Sequence, residues 1–150
     1  MQVFFGRPEE IDEWMALVRS VRDEFPGLET ESALDEHRRT VLKFMGKSQA
    51  ICVKERGRIT AVLLFSRSRN MICFLAVAHG FRRRGASSAL MEKALDELDR
   101  SGDITVSTFR EGDEKGTAPR ALYRKFGFAE GKLTVEFGYP NQVFVLKGNK

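Results

Sequence analysis

Residues 71–90 read MICFLAVAHGFRRRGASSAL, and this stretch decides the fold. Its first eight residues, 71–78, are apolar at nearly every position, which is typical of a central strand covered on both faces of a sheet. Arg82-Arg83-Arg84-Gly85 follows, and from Ala86 onward the apolar residues return with helical spacing, at Leu90, Ala94, Leu95 and Leu98. The stretch therefore predicts a buried strand that runs through a basic turn into a helix.

The flanking sequence predicts an α/β fold with a mixed sheet. Ala50–Val53 and Ile59–Phe65 are β-rich runs that short turns separate from each other and from 71–78, a pattern that favours an antiparallel meander. After the helix, Ile104–Phe109 is another β-rich run. A strand–helix–strand unit of this length implies a right-handed crossover and a parallel pair of strands.

The two ends of the chain complete the prediction of one domain over residues 1–150 with about four helices. Val3–Phe5 predicts a short strand, and Ile11, Trp14, Met15, Val18 and Val21 form a helical stripe that Phe25-Pro26-Gly27 ends. Ser32 and Asp35 have the spacing of a capping box for a second helix, which runs to Gly46. A short helix ending near Phe126 precedes a hairpin formed by Leu133–Phe137 and Gln142–Leu146.

Composition excludes several classes of protein. The 150 residues include 25 Lys and Arg against 21 Asp and Glu, a net charge of +4 that could serve nucleic acid, a phosphorylated ligand or plain solubility. No apolar run approaches the roughly 20 residues of a membrane helix, and the first residues lack the pattern of a secretory signal. Cys52 and Cys73 lie inside apolar runs and are expected to be buried thiols, neither a metal site nor a disulfide. We therefore expect a cytoplasmic protein with no membrane contact and no metal.

The turn at residues 82–88 is a candidate anion site. A helix begins there, and the first N–H groups of a helix are unpaired and carry partial positive charge. The small side chains of Gly85, Ala86 and Ser87 would let a diphosphate approach the backbone closely. The alternative is a basic surface turn whose small residues serve helix–sheet packing. The turn is neither a Walker A loop nor a dinucleotide-binding fingerprint.

Two motifs in this part of the chain resemble those of the GNAT N-acetyltransferases. Arg82-Arg83-Arg84-Gly85-Ala86-Ser87 is similar to the acetyl-CoA signature Gln/Arg-x-x-Gly-x-Gly/Ala, with Ser87 in place of the last small residue. Ala121-Leu122-Tyr123-Arg124-Lys125-Phe126-Gly127-Phe128 is similar to the helix and strand start A-x-x-x-Y-x-K-x-G-F. The order of the predicted elements matches this family over nearly the whole chain.

The resemblance implies where acetyl-CoA binds. In the family, a bulge splays two central strands apart, and the backbone beside it pairs with pantetheine and donates an N–H to the oxyanion, a role that falls here on Leu75, Ala76 and Val77. The N–H groups of the signature hold the diphosphate. The cofactor-binding residues of the turn are therefore expected to be Arg82, Arg83, Arg84, Gly85, Ala86, Ser87 and Ser88.

The resemblance also assigns catalytic roles. Tyr123 is the expected general acid, which protonates the leaving thiolate, although it also has the position of a tyrosine that packs beside Leu122 and Phe126. The family's frequent strand glutamate has no counterpart in residues 104–109. Among Glu111, Asp113 and Glu114 in the next loop, we take Glu111 as the candidate base, acting through a water, with solvation of the loop as the equal alternative. Gly116 replaces the family's frequent Asn and would lack its contact with CoA.

The predicted function is acetyl-CoA-dependent transfer of an acetyl group to a primary amine, on a small molecule or a protein, by direct attack in a ternary complex. A thiol intermediate at Cys73 is disfavoured because neither His37 nor His79 has an identifiable partner. A CoA-binding module without catalysis is the alternative, motivated by the missing strand carboxylate. Nucleic-acid binding by the three arginines is less favoured because the aromatic residues are not interleaved with basic ones. A homodimer is a further expectation.

Overall fold

The described part of the chain contains seven strands and four α-helices. The computed structural model describes residues 1–149. The strands are β1 (Val3–Phe5), β2 (Ala50–Glu55), β3 (Arg58–Ser66), β4 (Met71–Val77), β5 (Ile104–Phe109), β6 (Ala129–Glu136) and β7 (Tyr139–Leu146). The helices are α1 (Ile11–Ser20), α2 (Glu31–Gly46), α3 (Ala86–Glu97) and α4 (Thr117–Lys125). No helix within residues 1–149 combines the length and the apolar character that crossing a membrane requires.

All seven strands form one sheet in the order β1-β2-β3-β4-β5-β7-β6. Strands β1 to β4 form an antiparallel meander, β4 and β5 are parallel with α3 as their crossover, and β5, β7 and β6 are antiparallel. The predicted mixed sheet with an antiparallel meander and a parallel central pair is therefore confirmed.

Helices cover both faces of the sheet because β2 and β3 are apolar on both sides. One face packs against α1 and α2, where Trp14, Val18, Leu34 and Val41 are almost completely buried. The opposite face packs against α3 and α4, with Leu90 and Met91 at its centre. Burial of large apolar side chains on both faces stabilises the three-layer arrangement, at about 1.5–3 kcal/mol for each.

The sheet opens at its centre. Strands β4 and β5 pair only through Met71 with Thr105 and Ile72 with Val106, and beyond these pairs they diverge. On the other edge of β4, the pairing with β3 skips Cys73, which is the extra residue of a β-bulge. The predicted splaying of the central strands is confirmed. The expectation that Cys73 is buried was wrong, because the bulge and the divergence leave it exposed on the wall of the opening.

Two local predictions differ from the structure. Helix α2 begins at Glu31, and the hydroxyl of Thr30 accepts the N–H of Ala33 at 3.0 Å, so the cap is Thr30 and not Ser32. Thr30 has the extended backbone that an N-cap requires, whereas Ser32 is already inside the helix. Strand β6 begins at Ala129, four residues before the predicted start, because pairing with β7 includes a stretch whose Glu, Gly and Lys have low strand propensity.

Candidate functional site

A cleft of about 1040 Å³ opens between the diverging parts of β4 and β5. One of its walls is built from the end of β4 and the turn into α3, and the other from β5, α4 and the β6–β7 hairpin. It brings together most of the residues singled out from the sequence. These are Leu75, Ala76, Val77, Arg82, Arg83, Gly85, Ala86, Ser87, Ser88 and Tyr123. Arg84 and Glu111 do not line the cleft.

The edge of β4 that faces the cleft has backbone groups that no other strand pairs beyond Ile72. The N–H of Ala78 donates to the carbonyl of Thr60 at 2.9 Å, which continues the pairing of β4 with β3. Because backbone groups in an antiparallel pair alternate in direction, Leu75 and Val77 direct their N–H and C=O groups toward the cleft. The Val77 carbonyl accepts the Nε–H of Arg82 at 3.1 Å. This edge can therefore pair with an extended chain that carries amide groups.

The beginning of α3 provides a second set of donors. Gly85 has φ +88° at the N-cap, a left-handed conformation that glycine adopts without strain. The first helical hydrogen bond runs from the N–H of Ala89 to the carbonyl of Gly85, at 3.0 Å. The N–H groups of Ala86, Ser87 and Ser88 have no acceptor among residues 1–149. Together with the helix dipole, they favour an anion at the floor of the cleft.

The three consecutive arginines point in different directions. Arg82 Nη2 lies 2.9 Å from Oε1 of Glu24 and 3.0 Å from its Oε2. Arg84 turns away from the cleft, with Nη1 3.0 Å from Oε1 of Glu55. Only Arg83 lines the cleft without an ion-pair partner among the described residues. Acidic side chains from other elements therefore neutralise two of the three arginines, and the binding of a cofactor by residues 82–88 stays a prediction.

Tyr123 is packed in the core and also lines the cleft. Its residue is only 5% exposed, and its ring centroid is 6.0 Å from that of Phe128 and 6.1 Å from that of Phe144. The hydroxyl has no hydrogen-bond partner among the described residues, and the side chain lines the cleft. Burial raises the pKa of Tyr123 above its ordinary value, so the phenol stays protonated at neutral pH.

The structure does not bring Glu111 together with Tyr123. Glu111 is exposed and lines a separate surface pocket of about 200 Å³ on the far side of the loop. Asp113 accepts the hydroxyl of Tyr139 at 2.6 Å and the N–H of Lys115 at 3.0 Å, which fixes the loop in this orientation. Glu114 is the one acid of the three that lines the cleft.

A close contact explains why glycine occupies position 116. A Cβ on Gly116 would lie 2.9 Å from Cβ of Phe109 and 3.2 Å from Cδ of Arg120. Arg120 is itself fixed, because its Nη1 donates to the Phe109 carbonyl at 3.0 Å and to Oε1 of Gln142 at 2.8 Å. An asparagine at this position would therefore overlap with the neighbouring side chains.

The cleft also contains residues that the motifs did not indicate. Glu24, Phe25 and His37 come from the α1–α2 region, and Phe137 comes from the β6–β7 turn. Burial lowers the pKa of His37 to about 4, so its imidazole is neutral at pH 7. Their positions follow from tertiary packing, and no local motif in the sequence signals them.

The cysteines do not have the surroundings of a nucleophile. Cys73 is exposed on a concave wall, where the surrounding protein atoms still desolvate the thiol and raise its pKa to about 11. A thiol with this pKa is almost fully protonated at neutral pH, and the thiolate is the reactive form. Residues 1–149 contain no group of three or more His, Cys, Asp or Glu side chains arranged to hold a metal ion.

Comparison with known proteins gives a family and a fold. The model of the "Acetyltransferase (GNAT) family" matches residues 14–128. No curated protein is significantly similar in sequence.

Solved structures of acetyltransferases share the fold at low sequence identity. A GNAT-family acetyltransferase from Bacillus cereus is 18% identical with a TM-score of 0.74, over 99% of this chain and 98% of that one. The ribosomal-protein-S18-alanine N-acetyltransferase from Escherichia coli is 16% identical with a TM-score of 0.74, over 97% and 92%. The PaiA N-acetyltransferase from Thermoplasma acidophilum, in complex with coenzyme A, is 13% identical with a TM-score of 0.70, over 97% and 98%.

Proposed function

The chain belongs to the GNAT family of acetyltransferases, and we propose that it binds acetyl-CoA in the cleft between β4 and β5 and transfers the acetyl group to a primary amine. The observation that carries the proposal is the opening itself. A strand edge that no other strand pairs, a helix N-terminus and the side chain of Tyr123 lie along one continuous cleft.

The residues of the cleft fit the chemical groups of acetyl-CoA. Leu75 and Val77 provide a strand edge for the amides of pantetheine, while the N–H groups of Ala86, Ser87 and Ser88 suit the pyrophosphate. Arg83 adds an unpaired positive charge at the same end. The Ser87 departure from the signature does not weaken this fit, because the backbone N–H is the binding group.

The chemistry requires three proton movements: an ammonium nitrogen loses one proton before it attacks, the leaving sulfur gains one, and the nitrogen loses a second after the C–N bond has formed. Acetyl-CoA supplies a thioester, and the amine must lose one proton before its nitrogen can form the new C–N bond. As the C–S bond breaks, Tyr123 donates its hydroxyl proton to the sulfur, and the phenol oxygen then recovers the proton that the nitrogen gives up. A phenol has a higher pKa than a thiol, so the proton stays on the Tyr123 oxygen during the early part of C–S cleavage. During that part the hydrogen bond that Tyr123 donates stabilises the departing sulfur.

The charge that develops on the thioester oxygen also needs a donor. The N–H groups of Leu75 and Val77 face the cleft, and their fixed orientation suits such a role. The first proton, which the ammonium ion loses before its attack, goes to water in the cleft. Glu114 lines this cleft and is the acid of the loop placed to accept that proton through a water, whereas Glu111 lines the separate surface pocket.

Isothermal titration with acetyl-CoA and a thiol-release assay test the proposal. We expect binding at one site per chain, and release of free CoA that depends on an added primary amine. Well-folded protein that shows no heat of binding with acetyl-CoA would overturn the proposed cofactor. Binding with no amine-dependent release across a broad amine panel would instead support the module without catalysis.

A further inference from the structure

The end of the cleft away from α3 is lined by aromatic rings from both of its walls. On one wall, the ring centroid of Phe74 lies 4.6 Å from that of Phe25 and 4.7 Å from that of His37. On the other wall, Phe109 lines the cleft and contacts Tyr139 edge-on, at 5.5 Å between centroids. We refer to this region, defined by Phe25, His37, Phe74, Phe109 and Phe137, as the aromatic end.

Phe137 lies against the α1–α2 region at the aromatic end. It lies in the β6–β7 turn with 82% of its surface exposed, and yet it contacts the α1–α2 region. A Cβ on Gly27 would lie 2.8 Å from Cγ of Phe137, so the ring lies directly against this glycine. The absence of a side chain at position 27 is what allows the hairpin to reach across the cleft.

Few charges remain free at this end. Glu24 is paired with Arg82, and His37 is neutral because burial lowers its pKa to about 4. Glu114 and Glu136 line the cleft with no ion pair or hydrogen bond from the described side chains, and Lys115, which also lines the cleft, offsets one of these two negative charges. The aromatic end therefore offers a carboxylate to one ammonium group and apolar surface to the rest of the substrate.

This balance disfavours acceptors with several charges. Placing an additional ammonium group against the rings removes it from water, which costs free energy. A cation–π contact returns only part of that cost. The hydroxyl-rich body of an aminoglycoside would likewise leave many polar groups unpaired. An apolar ring, in contrast, gains free energy from burial in the same place.

We infer that the acceptor carries a single primary amine within a few bonds of an aromatic or branched aliphatic group. The inference rests on the proposed acetyl transfer. A free arylalkylamine and the N-terminus of a peptide with an apolar first residue share this chemistry, and the experiment below separates them.

Steady-state kinetics with a defined amine panel test the acceptor class. The probes are 2-phenylethylamine, ethylamine, spermidine and a short peptide amide that begins with Phe, each assayed by thiol release from acetyl-CoA. We expect kcat/KM for 2-phenylethylamine to exceed that for ethylamine by about 10- to 100-fold, since the aromatic end removes the ring of the substrate from water. A kcat/KM for the peptide well above that for 2-phenylethylamine would identify a polypeptide N-terminus as the source of the amine.

The Phe137→Ala substitution tests the aromatic end directly. We expect it to lower the ratio of kcat/KM between 2-phenylethylamine and ethylamine by about 5- to 10-fold, while the affinity for acetyl-CoA stays the same. Leu133→Ala is the matched control, because Leu133 is also exposed on the β6–β7 hairpin but does not line the cleft. It should leave the ratio unchanged.

The two proposals fail in different ways. If acetyl-CoA does not bind, the proposed function itself is overturned. If acetyl-CoA binds but spermidine or ethylamine is preferred over 2-phenylethylamine, only the acceptor class is overturned. Titration of the CoA complex with the same amines ranks them by affinity even where turnover is slow, so a low rate still decides the question.

Discussion

Tyr123 packs its ring in the core, and its side chain also lines the cleft. The ring packs against Phe128 and Phe144 in the core that α3 and α4 form with the sheet. The hydroxyl has no hydrogen-bond partner among the described residues, and the side chain lines the cleft. This combination fits a group whose partner arrives with the substrate, because packing fixes the ring and leaves the oxygen free to bond the sulfur.

Replacing Tyr123 with Phe separates the packing of the ring from the proposed role of the hydroxyl as general acid. We expect kcat to fall about 100-fold, within the usual contribution of a general acid, while the affinity for acetyl-CoA and the free energy of unfolding change little. Tyr139→Phe is the matched control, since the Tyr139 hydroxyl bonds Asp113 and does not line the cleft. Stopped-flow or steady-state thiol release measures both variants. An unchanged kcat for Tyr123→Phe would leave the tyrosine with a packing role alone.

His37 makes the stability of the protein sensitive to mild acid. Its folded-state pKa is about 4 against 6.5 for the free side chain, so between these values the unfolded chain binds a proton that the folded chain excludes. Stability is therefore highest above pH 6.5 and decreases as pH falls toward 4. Between pH 7 and pH 5 the loss is about 2 kcal/mol, from 1.36 kcal/mol for each unit of pKa difference.

Denaturant unfolding at pH 7 and pH 5 measures this loss. The change should shrink by about 2 kcal/mol in His37→Leu, which cannot titrate. Carboxylates such as Glu31, whose ion pairs lower its pKa to about 2, lose their native interactions mainly at lower pH and do not obscure this window. Equal pH dependence in the native protein and in His37→Leu would contradict the assignment.

In the turn between β4 and α3, the neighbouring residues Arg83 and Arg84 have different surroundings. Arg83 lines the cleft and is unpaired among the described residues, whereas Arg84 pairs with Glu55 on the outer surface. Arg83→Gln should therefore weaken acetyl-CoA binding by about 3- to 10-fold at low salt, with a smaller effect at high salt because added ions screen the phosphate charge. Titration calorimetry at two salt concentrations measures the change.

Arg84→Gln provides the control for that turn. It removes the same charge from the next position in the chain, so long-range electrostatics are nearly matched. We expect the affinity for acetyl-CoA to stay within about 2-fold of the native value. An equal loss in both variants would mean that overall charge, and not the position of Arg83 in the cleft, determines binding.

The elements of the fold and the position of the turn between β4 and α3 can be predicted from the sequence because their signals are local. The apolar run at 71–78, the small residues after Arg84 and the helical spacing from Leu90 lie within twenty residues of each other. The aromatic end is not readable in this way. Gly27 and Phe137 meet only because the sheet and helices bring the α1–α2 region beside the hairpin. The side of the loop on which Glu111 projects likewise depends on the contact between Asp113 and Tyr139.

The whole sheet behaves as two blocks that share a narrow seam. Strands β1 to β4 form one block and β5 to β7 the other, and only two residue pairs connect β4 with β5. A single sheet with a continuous central ladder would have no room for a ligand between its strands. The divergence leaves the N–H groups of Leu75 and Val77 without acceptors among residues 1–149, and a bound pantetheine arm would pair with them and join the two blocks.

Amide hydrogen exchange by NMR tests this view of the molecule. In the free protein, the amides of Leu75 and Val77 should exchange quickly, while those of Ala76 and Ala78, which face β3, should be protected. Saturation with acetyl-CoA should slow Leu75 and Val77 by about 10-fold or more. ADP, which carries the pyrophosphate without pantetheine, should slow the amides of Ala86 to Ser88 and leave β4 unchanged. Protection of Leu75 and Val77 that is already equal to that of Ala76 in the free protein would mean that the strand edge is closed, and pantetheine would have to bind elsewhere.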